Sequence, residues 1–112
     1  MPALPTQRYL NVAQLRALLL GMERDLGLGD LSQNEKDVFY AVQSVIAGSD
    51  GVARSDDIKG HSLVFEMTQP TFHRSLKNLL ARGLLSHAPS TKAGSYIAAE
   101  PEMRQLKAVA SV

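Results

Sequence analysis

The chain has 112 residues, 45% of them hydrophobic and 21% charged, with a net charge of +1. These proportions exclude a disordered chain and suit one small folded domain, whose modest core leaves room for oligomerisation to add stability. There is no cysteine, which excludes disulfides, thiolate metal sites and thiol redox chemistry and fits a reducing, cytoplasmic location.

The longest aliphatic run, Leu18-Leu19-Leu20, is far too short to span a bilayer. Arg8, Arg16, Glu23, Arg24 and Asp25 interrupt the apolar stretch that a signal peptide requires. Neither a membrane segment nor a secretion signal is therefore expected. Charge is unevenly spread. Residues 1–66 carry nine Asp/Glu against six Lys/Arg, a net of −3, whereas residues 67–99 carry Arg74, Lys77, Arg82 and Lys92 and no acid. An acid-free basic segment in a near-neutral chain is a candidate phosphate-facing surface.

In chain order, Thr6 is placed to cap a helix from about Gln7 to Leu26, with Gly27 as its stop. Val12, Leu15, Leu19, Met22 and Leu26 recur at alternating steps of three and four, the seam by which one helix packs on another. Leu10, Leu18 and Leu20 widen it. This N-terminal segment, residues 1–31, is expected to serve dimerisation.

Ser32-Gln33-Asn34-Glu35 is a capping-box pattern opening a second helix, with Val38, Phe39, Val42, Val45 and Ile46 on one face. Ser55 is placed to cap a short third helix whose first turn holds Asp56 and Asp57. A further helix begins at Thr68 and runs to about Arg82. Pro70 is tolerated in its first turn, Phe72, Leu76, Leu79 and Leu80 form its buried stripe, and Gly83 ends it.

Leu84–Ala88 and Ser95–Ala99 are expected to pair as a β-hairpin across a loop at residues 89–94. Pro101 opens a short last helix, with Met103 and Leu106 on one side as a second dimerisation element. Tyr9, Tyr40 and Tyr96 are read as core or boundary residues. The expected fold is mostly α with a small β-hairpin: a winged helix-turn-helix over residues 32–99 with flanking helices.

A helix-turn-helix places the start of its second long helix in the major groove, where side chains meet base edges. The exposed positions here are Gln69, Thr71, His73, Arg74 and Lys77. Gln suits adenine, Arg suits guanine through its two-pronged guanidinium, and Thr touches a thymine methyl. Lys77 lies a turn further on and suits a phosphate. The three histidines have no metal-ligand spacing, no serine sits in a nucleophile elbow, and no glycine-rich phosphate loop is present. No enzyme, metal or cofactor is expected.

The run from Thr68 through Leu85, with its Pro70-Thr71, Arg74, Leu76, Leu79 and Gly83-Leu84, resembles the recognition helix and wing entry of winged-helix regulators of the multiple-antibiotic-resistance (MarR) family. The resemblance covers about residues 32–99. It implies a recognition helix at about 68–82 in the major groove and a wing at about 84–99 on the backbone or minor groove. It also implies a homodimer joined through terminal helices.

By position it assigns Thr68, Gln69, Thr71, His73, Arg74 and Lys77 to DNA, with Lys92 at the wing tip. The wing lacks the family's Asp-x-Arg pair, the connection from Lys59 to Thr68 is longer than its tight turn, and the C-terminal part is shorter. The expected function is sequence-specific binding of double-stranded DNA as a dimeric transcriptional repressor, associated with the nucleoid, with no small-molecule effector indicated. The alternatives are a winged-helix protein-docking module and a replication or partition factor of a mobile element.

Overall fold

A computed structural model describes residues 5–49, 51–88 and 94–98. The chain divides into two units, Met1–Leu31 and Ser32–Val112. In the first, helix α1 spans Pro5–Asp25. Thr6, expected as the cap, lies instead inside the first turn, following Pro5, whose missing amide costs nothing there.

The helix ends as its glycine dictates. Gly27 has φ +77, its amide donates to Arg24 O at 3.1 Å, and Leu28 N donates to Glu23 O at 2.7 Å, the closure that satisfies the last carbonyls. The seam residues Val12, Leu15, Leu19, Met22 and Leu26 are all exposed, as are Leu10 and Leu18. Tyr9, expected at a core boundary, is 73% exposed. Among the described residues this unit holds one helix and a turn, with no second element of its own to cover these side chains.

The second unit begins with the capping box. Ser32 N donates to Glu35 Oε1 at 2.8 Å and Glu35 N donates to Ser32 Oγ at 3.2 Å, starting α2, Gln33–Ala47. Val38, Ala41 and Val42 are buried, while Phe39, Val45 and Ile46 are half-buried. Short α3, Ser55–Lys59, and then α4, Gln69–Ala81, follow.

Strands β1, Ala53–Arg54, β2, Leu85–His87, and β3, Ser95–Ala98, form one antiparallel sheet in the order β1-β3-β2. The expected two-stranded hairpin is thus a three-stranded sheet. In it Ala53 pairs with Tyr96 and Arg54 with Ser95, while Ser86 pairs with Ile97. A strand of two residues shows no periodicity to read.

Ser55 also differs from its expected role. Arg54 is the cap residue of α3 and makes no side-chain cap bond. The Ser55 amide and hydroxyl both donate to Gly94 O, at 2.7 and 3.0 Å. Pairing with β3 runs straight into α3 and claims both donors.

α2 lies at the centre of the unit, packed on α4, on α3 and on the sheet. Its core gathers Val38, Val42, Ile58, Val64, Phe72, Leu79 and Leu85, all fully buried. The fold is mostly helical with a small antiparallel sheet. Among the described residues no helix is long and apolar enough to cross a membrane. Lys92, Met103, Leu106 and the helix expected over residues 100–112 lie outside the described residues.

Candidate nucleic-acid interface

α4 begins where its sequence says it must. Thr68 is extended, at φ −68 and ψ 154, and its side chain accepts from Thr71 N, at 3.4 Å. The Thr68 hydroxyl donates to Thr71 Oγ1 at 2.9 Å. Two of the six α4-region residues assigned to DNA, Thr68 and Thr71, therefore satisfy each other at the helix start. Thr68 is exposed and Thr71 half-buried.

The remaining four, Gln69, His73, Arg74 and Lys77, are exposed. Pro70, Arg74, Lys77 and Ala81 recur at steps of four, three and four, and all are exposed. They form a ridge on the side of α4 opposite Phe72, Ser75, Leu76 and Leu79, which are buried. Leu80, expected in the buried stripe, is half-buried. His73 flanks the ridge with its ring 5.4 Å from that of Phe72.

The far end of α4 is held as firmly as the start. Arg82 is its C-cap. Gly83 has φ +76, and Leu84 N donates to Leu79 O at 3.1 Å. The chain then turns directly into β2.

The face of α4 thus offers an amide, an imidazole, a guanidinium and an ammonium on a rigid helix with no carboxylate of its own. Such a set can donate to phosphates and to the acceptor edges of bases.

Sequence reasoning passed over Arg54. It is exposed on β1, opposite Ser95 of β3, and adds a cation to the sheet. Its signal was only a basic residue beside Ser55, in a segment without pattern. His87 on β2 is exposed too and stacks on Tyr96 at 5.3 Å.

Comparison of the chain with protein-family models, with curated proteins and with solved structures finds no match.

Proposed function

We propose that the second unit is a winged helix-turn-helix of the kind found in MarR-type regulators. On this reading it binds double-stranded DNA sequence-specifically as a transcriptional repressor, not as an enzyme. The observation that carries the reading is the ridge of α4. A helix anchored by Phe72, Leu76 and Leu79 presents Arg74 and Lys77 outward, inside an acid-free stretch, residues 67–99.

In this reading α3 and α4 are the two helices of the motif. Gln69 and Arg74 read base edges, Lys77 meets a phosphate, and β2–β3 is the wing. Arg54, paired with Ser95 at the loop end of β3, is a second backbone contact.

A second copy of the chain fits α1. Eight large apolar side chains lie exposed in the first unit, Tyr9 and Leu26 among them. Together they amount to several hundred Å², on the order of the ~800 Å² that each partner contributes to a stable interface. A monomer rarely exposes this many large apolar side chains along one helix. A three-four seam is complementary to a helix with the same seam, and α1 of a second copy is such a helix. A two-fold dimer reads an inverted repeat.

The test is selection of bound fragments from a random duplex library by the purified full chain, followed by a salt series on the winners. An enriched inverted repeat, bound with steep salt dependence, is the expected result. Failure to enrich any sequence, with no salt-sensitive binding, overturns the reading. It would favour the protein-docking alternative, which the low net charge of +1 suits.

A further inference from the structure

The connection between α3 and α4, residues 60–67, is longer than the three or four residues of an ordinary helix-turn-helix turn. It has its own internal order. Val64 N and Phe65 N both donate to His61 O at 2.9 Å, Met67 N donates to Val64 O at 2.8 Å, and Leu63 N donates to His61 Nδ1 at 3.1 Å. Val64 is fully buried, whereas Leu63 and Phe65 are exposed.

One side chain ties this segment to both helices. Lys59, the last residue of α3, donates from Nζ to Met67 O at 2.6 Å and to Phe65 O at 3.3 Å. The same nitrogen stands 6.0 Å from the centroid of the Phe72 ring. Met67 immediately precedes Thr68, the cap of α4, and Phe72 is the buried anchor of α4. A single ammonium therefore links the end of α3, the last carbonyls before α4 and the aromatic that seats α4.

Two of its three donors are taken by backbone oxygens, and the residue is half-buried. Charge-assisted bonds of this kind are about twice as strong as neutral ones. A planar guanidinium would not reproduce the geometry of a compact ammonium between two carbonyls and a ring.

We propose that Lys59 is a positioning residue for base readout, and not a phosphate contact. It sets where α4 begins, and with it the register at which Gln69 and Arg74 meet base edges. This inference rests on the DNA-binding reading of α4. A basic residue between the two helices of such a motif would ordinarily be counted toward the phosphate backbone. Here two of its three donors are spent inside the fold.

The distinction has a measurable signature. A lysine on a phosphate releases counterions, so its loss weakens all duplexes alike and lowers the salt slope by about one. A lysine that positions the helix changes neither. Its loss weakens only the specific site, by about tenfold or more, the discrimination that one good base contact supplies.

The test uses the full-length chain with Lys59→Met, which keeps an unbranched side chain and removes the ammonium, and Lys59→Arg as a second variant. Affinities for the selected site and for a scrambled duplex are measured from about 50 to about 200 mM salt. Amide hydrogen exchange of residues 61–71 is followed without DNA.

Both variants are expected to lose affinity for the selected site about tenfold while scrambled-duplex affinity and salt slope stay at wild-type values. Exchange protection at Phe65, Met67 and Thr71 is expected to fall while that of α2 holds. Equal loss on both duplexes with a slope lower by about one would make Lys59 a phosphate contact and overturn the proposal. So would unchanged binding, or unchanged exchange.

If the wild-type chain binds no duplex, the DNA-binding reading fails and readout fails with it. The exchange measurement still decides, separately, whether Lys59 holds the start of α4.

Discussion

The Glu35 carboxylate, at the start of α2, lies 3.9 Å from Nε of Arg82, the C-cap of α4. The same carboxylate accepts the Ser32 amide at 2.8 Å, so one side chain closes the N-terminus of α2 and meets the far end of the candidate recognition helix. Its pKa is lowered from the ordinary 4.5. The Ser32 backbone amide is the largest cause. Burial opposes it, and the Ser32 hydroxyl, the Arg82 charge and Asn78 reinforce it.

A carboxylate whose folded pKa is depressed contributes stability that is present above its unfolded value and lost as pH falls through the folded one. Glu35→Gln keeps an acceptor for the Ser32 amide but loses the charge that strengthens the bond, and is expected to cost about 1 kcal/mol at neutral pH. Urea unfolding should show the gap between variant and wild type closing as pH drops below 4.5. A gap that persists in acid would place the effect in packing. Arg82→Ala should cost less, under about 1 kcal/mol, because the Arg82 side chain is 40% exposed and its ion pair is screened.

Arg74 and Lys77 share the outer ridge of α4 but are expected to fail differently. Arg74→Ala should weaken the selected site by about 1–3 kcal/mol, and scrambled duplex far less, because a bidentate base contact carries discrimination. Lys77→Ala should weaken both duplexes alike and lower the salt slope by about one. Fluorescence anisotropy on the two duplexes across salt separates them. Identical profiles for the two variants would reduce both residues to phosphate contacts.

Gly94 holds the start of β3 against the start of α3. Its φ is +92, and a Cβ there would stand 3.1 Å from Ser55 Oγ, the hydroxyl that donates to Gly94 O. Gly94→Ala therefore meets two penalties, a left-handed backbone and a tight contact, and is expected to cost about 1–3 kcal/mol. Ser55→Ala removes one bond, leaves the amide bond to the same carbonyl, and should cost about 1 kcal/mol. Thermal unfolding checks both. If Gly94→Ala were as stable as wild type, the β1–β3 junction would not be the fixed point inferred here.

These tests divide along the line between what the sequence disclosed and what it did not. The helices were legible because their signals are local. Ser32 and Glu35 sit three residues apart, Thr68 and Pro70 open α4, and Gly27 and Gly83 lie just past the last turns of α1 and α4. The exposed ridge of α4 follows from its 3.6-residue repeat.

Strand β1 was not legible, because Ala53 and Arg54 become a strand only through partners about forty residues on, at Ser95 and Tyr96. For the same reason Ser55 read as a local cap, when its hydroxyl belongs to Gly94. Lys59 carried no signal of its own, since nothing in its neighbours shows that the carbonyls of Phe65 and Met67 curl back to it. Bonds that cross between elements carry no sequence period, and they are what fix the candidate site in place.

Self-association through α1 is tested at Leu15, which is 65% exposed near the middle of the seam. Leu15→Lys puts a charge where an apolar partner is expected, and burying an unpaired charge costs several kcal/mol. It removes nothing from the core of the second unit. The wild-type chain is therefore expected to run as a dimer in light scattering at micromolar concentration and Leu15→Lys as a folded monomer with unchanged circular dichroism. An inverted-repeat duplex should then bind the variant with the affinity of a single half-site, because the second half-site no longer gains from its tether to the first. A half-site duplex should bind both proteins equally, since α4 is untouched. A wild-type chain already monomeric would remove the dimer from the reading and leave α4 to act singly.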